Sequence, residues 1–438
     1  MVCLSFRGSV AMRIAYLIAG AGGMYCGSCL RDSRLAATLI RKGRDVRIFP
    51  LYTPLRTEDS EDNPGPVHFG GINVFLQNRF ALFRRLPRWM DALLNAPWLL
   101  RGAGRLAAKT RPEDLGSLTV SVLQGEQGPL GKELGKLIDA LYEIQPSLIH
   151  LPTLMFSGIA PTLKRRFSAP VLCTLAGEDI FLDALPEPFR SQSGDLIEKL
   201  SSTIDAFVSP TRYYATHAAK HFKLPADSIE YVPMGIHLAD VPVPRKKSTG
   251  PFTIGYFARI CREKGLHVLA EAFIQLRAEG RDVRLRAAGY LSPVDRPYLR
   301  EVENRLRQGH CLDRFECLGE TNRAGKLEFL RSLDVFSVPT VYHEAKGLYV
   351  LEAMAAGVPV VQPNHGSFPE LVGDTGGGLL FDASNSRALS GAIGRLMDDE
   401  ELRNKLSASG REGVRNKHTE DIMADRTWQL YVYESFYR

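Results

Sequence analysis

The chain of 438 residues carries 55 basic and 49 acidic side chains, a formal net charge of +6. That length suits two or three domains, and 45% hydrophobic with 24% charged residues excludes disorder of the whole chain. A charge this mild does not mark a nucleic-acid binder, and seven sparse cysteines do not make a disulfide framework. No run of 18 apolar residues predicts a transmembrane helix, and the first residues lack the apolar core of a signal peptide. A cytoplasmic protein with free thiols is expected. Residues 1–11 read as a loose tail or as a start assigned too early.

From residue 12 the chain alternates short apolar runs with segments of helical period. Residues 13–19 (RIAYLIA) form the first predicted strand, followed by the glycine-rich turn 20–27. Its glycines let backbone amides approach an anion, with Gly22 and Gly23 the candidates, but Tyr25 breaks the G-x-G-x-x-G spacing of a dinucleotide site. Cys26 and Cys29 open the next helix; without a second such pair they read as packing thiols rather than a zinc or redox site. Leu30, Leu35, Leu39 and Ile40 line that helix, and Gly43 stops it. Strands follow at 46–49, 147–151, 171–175, 206–209 and 229–232.

Between the second and third strands lies the basic part of the chain. Residues 79–111 hold eight Arg and Lys against Asp91 alone, so +7 falls within 33 residues and the remainder nets −1. Phe80, Phe83, Trp89 and Trp98 are interleaved with them. Arginine with interfacial aromatics suits an anionic membrane surface, although Pro87 and Pro97 fit a solvated excursion equally well. Residues 241–251 (VPVPRKKSTGP) read as an interdomain linker. Beyond it, strands at 253–258, 283–288, 315–318, 334–338, 358–361 and 378–381 alternate with helices near 265–279, 295–308, 324–332, 348–356 and 386–397. Val-, Ile- and Leu-rich strands joined by helices predict two doubly wound parallel-sheet domains facing a cleft, at 12–240 and 252–420. Ligands of such sheets bind beyond the carboxyl ends of the strands.

Two stretches at predicted strand ends carry chemistry. Arg259-x4-Lys264-Gly265 brings two cations to one loop, as a diphosphate requires. Residues 339–370 carry Glu344 in a polar loop, Gly347 and Leu348 at a helix start, and Glu352 on an otherwise apolar helix, where a carboxylate needs a partner. His150, at the end of a strand, reads either as a packing or as a functional histidine.

Glu344-x7-Glu352, the following AMAAGVPVV and Gly366-x3-Glu370, together with Arg259-x4-Lys264-Gly265, resemble the retaining GT-B glycosyltransferases of the GT4 class (glycosyl transferases group 1). The resemblance spans roughly residues 12–435 and is strongest in the second domain. It implies a glycosyltransferase that moves a sugar from a nucleoside-diphosphate sugar to an acceptor, with a lipid, a glycolipid or a polysaccharide precursor as candidates. By the same resemblance Arg259 and Lys264 grip the diphosphate, Glu344 contacts the sugar and Glu352 the ribose hydroxyls. Amides at Gly347 and Leu348 touch sugar and phosphate, and Gly22 and Gly23 approach from the other domain. No metal or other cofactor is implied, and residues 421–438 are expected to form a helix crossing back onto the first domain. Pro152 and Ala176 stand where relatives often have histidine, and Met234 and His237 depart from a VPNGVD-like turn. A sugar-nucleotide epimerase or hydrolase on the same fold, or a non-catalytic sugar-nucleotide-binding module, are the alternatives. Partners are then the donor, an unknown acceptor and, through 79–111, an anionic membrane at the inner face; nucleic acid is not expected.

Overall fold

The computed structural model describes residues 12–20, 27–51, 74, 77, 78, 112–241, 250–383 and 385–437. Gly22, Gly23, Cys26, the basic segment 79–111 and most of the predicted linker lie outside them. The chain divides into two compact units. One runs to Ser209 and takes in Ala215–Val232 and the chain from Ala424 onward; the other comprises Pro210–Tyr214 and Pro233–Met423.

The first unit holds strands β1 (Arg13–Ile18), β2 (Asp45–Pro50), β3 (Leu148–Leu151), β4 (Val171–Thr174), β5 (Ala206–Ser209) and β6 (Ile229–Tyr231). They form one sheet of order β2-β1-β3-β4-β5-β6, every neighbour parallel. Strands β3, β4 and β5 are buried at every residue, which is why they read as unbroken apolar runs. Helices α1 (Gly27–Arg41), α2 (Pro112–Leu123), α3 (Gly131–Ile144), α4 (Ala160–Phe167), α5 (Asp179–Asp183), α6 (Phe189–Ser201) and α7 (Arg212–His221) connect the described strands. Gly43, at φ +76°, ends α1 with amide bonds from Gly43 to Ile40 and from Arg44 to Leu39, the left-handed closure only glycine adopts cheaply.

The second unit repeats the plan. Strands β7 (Phe252–Phe257), β8 (Val283–Ala288), β9 (Phe315–Cys317), β10 (Val335–Phe336), β11 (Val360–Pro363) and β12 (Gly378–Phe381) form a parallel sheet of order β12-β11-β10-β7-β8-β9. Helices α8 (Leu266–Ala278), α9 (Arg296–Gln308), α10 (Arg323–Arg331), α11 (Leu348–Ala355), α12 (Phe368–Thr375), α13 (Ser386–Asp398) and α14 (Glu400–Lys417) join and cover it. Helices α12 and α14 were not among the predicted elements. α14 buries little besides Arg403, Gly410 and Val414, so it shows no apolar stripe, although Asp399 caps it by accepting the Leu402 amide at 2.8 Å.

The last helix, α15 (Glu420–Phe436), packs with the first unit from Ala424 onward. Asp425 pairs with Lys42 at 2.8 Å, and the Trp428 ring lies 4.3 Å under the Arg44 guanidinium. Residues 233–240, expected to close the first domain, belong instead to the second unit. Ile236 bridges to Thr419, and Asp240 binds Arg323 at 2.6 Å, so their contacts are made there.

Candidate active site

In the second sheet the chain runs outward from β7 to β8 and β9, then returns to place β10 on the other side of β7. The loops leaving β7 and β10 therefore diverge at the topological switch point, where open α/β sheets take their ligands. Both loops pass glycines that permit close contact. Gly265, at φ +74°, begins α8, and a Cβ there would lie 1.8 Å from the Pro339 carbonyl oxygen. Gly366, at φ +61° in the loop after β11, would place a Cβ 2.6 Å from the Glu344 amide nitrogen. Side chains at either position would force the strand-end loops apart.

This packing brings Lys264, on the β7 loop, onto Glu344, on the β10 loop. Lys264 Nζ donates to Glu344 Oε2 at 2.6 Å, with the two side chains only 16% and 7% exposed. Two tyrosines that the sequence reading did not single out complete the cluster. Tyr342 and Tyr349 donate their hydroxyls to the same Oε2 at 2.8 and 2.9 Å, and the Lys346 amide reaches Oε1 at 3.2 Å. Lys264 also donates to the Tyr342 hydroxyl, and Nζ lies 4.9 and 5.0 Å from the two ring centroids. Burial alone would raise the Glu344 carboxyl, but the Lys264 charge and the bonds from Lys264 and Tyr342 outweigh it and hold it down to about 2. Burial pushes both tyrosines up, so they remain hydroxyl donors.

The other predicted residues sit around this pair in different states. Arg259 is exposed on the same loop, its Nε donating to Cys261 Sγ at 3.3 Å, and among the described residues no carboxylate pairs with it. Gly347, at φ +68°, opens α11, and Leu348 begins that helix; a Cβ at Gly347 would lie 2.7 Å from Leu371. The first amides of α11 point out of the helix by position, toward any anion at its start. Glu352 is buried on α11, and its partner is a protein group: Lys326 of α10 donates to Oε1 at 2.8 Å, both side chains being about one-tenth exposed. Lys326 was missed, yet its phase shows it, since Arg323, Lys326, Phe329 and Leu330 share the buried side of α10. His343, exposed, stacks on His365 at 4.8 Å between centroids. A cavity of about 520 Å³ flanks β8, β9 and α10, and its lining includes Arg286, Leu318, Thr321 and Phe329 but none of the predicted site residues.

In the first unit His150 lies at the heart of a buried polar network. Its Nδ1 meets the Tyr431 hydroxyl at 2.5 Å and its Nε2 the Thr174 hydroxyl at 2.9 Å. Arg31 donates to Thr174 at 2.8 Å and to Asp32 at 2.6 Å, and Tyr16 donates to Asp32 at 3.2 Å. Burial, with Arg31 nearby, holds the imidazole down to about 3, so the ring is neutral and both its nitrogens are taken up by the Tyr431 and Thr174 hydroxyls. Glu178 likewise serves the fold, accepting from Thr153 at 2.7 Å, Leu154 at 3.1 Å and Ala176 at 2.8 Å. It ties the loop after β3 to the loop after β4. Asp179 pairs with His217 at 3.0 Å, and in the second unit His237 meets Glu420 at 3.0 Å. Among the described residues, no group of three or more His, Cys, Asp and Glu side chains could hold a metal ion, and no helix is long and apolar enough to cross a membrane.

Residues 241–413 match the family model for glycosyl transferases group 1, which places Arg259, Lys264, Glu344 and Glu352 inside the matched segment. Over 170 residues the chain is 32% identical to a phosphatidyl-myo-inositol mannosyltransferase of Mycobacterium leprae, covering 38% of this chain and 42% of that protein. A lipopolysaccharide core biosynthesis mannosyltransferase, LpsB of Rhizobium meliloti, is 32% identical over 190 residues, covering 42% and 52%. The chain thus spans about half the length of these curated relatives. A D-inositol 3-phosphate glycosyltransferase of Arthrobacter is 28% identical over 84% of this chain and 90% of its own length. Among solved structures, sucrose-phosphate synthase of Thermosynechococcus elongatus superposes with a TM-score of 0.69 at 19% identity, over 96% of this chain and 98% of that one. HepE of Anabaena, solved in complex with UDP, gives 0.66 at 16% identity over 96% and 100%. The two parallel-sheet units are the Rossmann-like α/β pair of the GT-B fold.

Proposed function

We propose that the chain is a retaining glycosyltransferase that moves a sugar from a nucleoside-diphosphate sugar to a lipid, glycolipid or polysaccharide-precursor acceptor. The observation that carries this reading is the Lys264–Glu344 pair at the switch point of the second sheet, within the segment that matches the family model. A diphosphate leaving group gains charge in the transition state, and only groups that bind that charge more tightly than the ground state accelerate transfer. Lys264, the exposed guanidinium of Arg259 and the first amides of α11 at Gly347 and Leu348 are the groups that meet it. Glu344 orients the sugar hydroxyls, and Glu352 beside Lys326 meets the ribose. Charge is thus matched by protein groups, and the reaction as proposed uses no metal. With no protein base assigned, the departing phosphate oxygen takes the acceptor proton on the face it leaves, which gives retention. The acceptor class proposed is supported by relatives named for phosphatidyl-myo-inositol and lipopolysaccharide core mannosylation. The basic, aromatic-rich residues 79–111 then serve contact with an anionic membrane.

The test is a melting-temperature screen with UDP-, GDP- and ADP-sugars, since a donor bound only to the native state raises apparent stability. One nucleotide class should stabilise the wild type. Lys264→Ala should lose that response, and both it and Glu344→Ala should lose transfer with the fold intact. A product of inverted anomeric configuration, or an undiminished response and activity in both variants, would sink the reading.

A further inference from the structure

Glu344 is crowded with donors. Its Oε2 receives Lys264, Tyr342 and Tyr349, and its Oε1 receives the Lys346 amide. A carboxylate offers about four lone-pair sites, so little of this one is left for a sugar hydroxyl. Lys264 is committed as well: of three N–H bonds, one goes to Glu344 and one to the Tyr342 hydroxyl, which in turn donates to Glu344. The ammonium meets Tyr342 at its hydroxyl edge and lies 5.0 Å from the Tyr349 ring centroid. Tyr349 is itself fixed, packing near Phe336 and Phe368 with centroids 6.2 and 6.4 Å away.

We propose that Tyr342 and Tyr349 are positioning residues whose hydroxyls hold the Glu344 carboxylate beside the Lys264 ammonium, so that the donor-free site is a self-bonded neutral cluster which a diphosphate opens by taking Lys264 over. This rests on the donor-binding reading above and adds to it the order of exchange. Lys264 trades a carboxylate for phosphate oxygens, and Glu344 trades an ammonium for sugar hydroxyls. During the exchange the two tyrosine hydroxyls keep the buried carboxylate satisfied, where an unpaired charge would be costly. Two consequences are specific. Without Glu344 there is nothing to displace, so Lys264 meets a sugar-free diphosphate more readily even though transfer is lost. Without the Tyr349 hydroxyl, Glu344 depends more on Lys264, and the diphosphate competes less well.

Four proteins decide this: the wild type, Tyr349→Phe, Glu344→Gln and the double variant. In donor-free solution Tyr349→Phe should lower the melting temperature by roughly 3–6 °C in the wild-type background. In the Glu344→Gln background the same change should leave it nearly unmoved, because the hydroxyl acts through the carboxylate. Equal losses in both backgrounds would mean a packing role alone and would overturn the proposal. Titration with UDP, GDP or ADP reads the exchange. Glu344→Gln should bind the preferred nucleotide about tenfold tighter than the wild type, as expected when a competing closed state is removed. Tyr349→Phe should weaken binding in the wild-type background and not in Glu344→Gln. Weaker binding by Glu344→Gln would refute the exchange. If no nucleotide binds any of the four, the donor reading fails, and with it the exchange, while the donor-free cycle still decides whether the tyrosines position Glu344.

Discussion

Replacing Glu344 by glutamine should change how stability depends on pH, and the size of the change follows from the cluster. In the folded chain the carboxyl is held down to about 2, against 4.5 for an ordinary glutamate. A depressed folded value means that the ionised group contributes stability in full above 4.5 and loses it as pH falls through 2. With each pH unit between the two values worth a little over 1 kcal/mol, the full contribution is about 3 kcal/mol at neutral pH. The same relation leaves about 1 kcal/mol at pH 3, so about 2 kcal/mol disappears between pH 7 and pH 3. The amide of the Glu344→Gln variant has no proton to gain, so its stability lacks this component.

The measurement is urea unfolding of both proteins at pH 7, 5, 4 and 3. The other carboxylates titrate in both and cancel in the difference, and a lysine ammonium stays charged throughout this range. The advantage of the wild type should therefore shrink by about 2 kcal/mol on acidification, most of it below pH 4.5. That component already contains the pairing with Lys264, because a protonated Glu344 and the glutamine amide leave the ammonium equally without a carboxylate. A difference between the two proteins that stays constant to within about 0.5 kcal/mol from pH 7 to pH 3 would show that Glu344 ionises like an exposed carboxylate. The ion pair would then not be the resting state of the site.

Lys326→Met should cost about 3–5 kcal/mol in urea unfolding because it removes the cation bound to the buried Glu352 carboxylate, and adding Glu352→Leu should recover most of it. Gly265→Ala should destabilise the second unit strongly and lower the melting temperature, since a Cβ there would meet the Pro339 oxygen at 1.8 Å at a φ of +74°. Tyr431→Phe should cost about 1–3 kcal/mol by leaving a buried His150 nitrogen unbonded. The His150 resonances of the wild type should not titrate between pH 5 and 8; its contribution is complete above the ordinary 6.5 and is lost as pH falls toward 3. Vesicles with anionic lipid should retain the protein at low salt and release it at high salt or when Arg84, Arg85 and Arg88 are neutralised.

Strands such as β3, β4 and β5 were legible because a parallel sheet covered on both faces demands unbroken apolar runs. The edge strands β6 (IEY) and β9 (FEC) carry exposed residues and were legible only from their place in the alternation of strands and helices. Helix α14 was hidden for the opposite reason: most of its side chains are at least partly exposed, so burial imposed no period on them. The catalytic candidates were legible one at a time. Arg259 and Lys264 are marked by following an apolar strand, Glu344 by its place in a glycine-bounded loop, and Glu352 by its apolar helix. What no local pattern carries is their pairing. Lys264 and Glu344 are 80 residues apart, and they meet because β10 returns beside β7 and because Gly265 and Gly366 let the loops touch.

The same distinction separates the two carboxylates. Glu352 on an apolar helix calls for a counter-charge, and that requirement is a statement of physics available from sequence alone. The structure answers it with Lys326, a cation on the buried phase of α10, where a lysine is as conspicuous as the glutamate it meets. Glu344 gave no such warning, because a loop carboxylate is ordinarily solvated. Its burial comes from Tyr342 and Tyr349, residues that any reading by charge passes over, and from backbone approaches that only coordinates reveal. A charged group satisfied by neutral donors is the part of a site least visible in sequence. In this chain those donors are what the proposed exchange of Lys264 onto a diphosphate depends on.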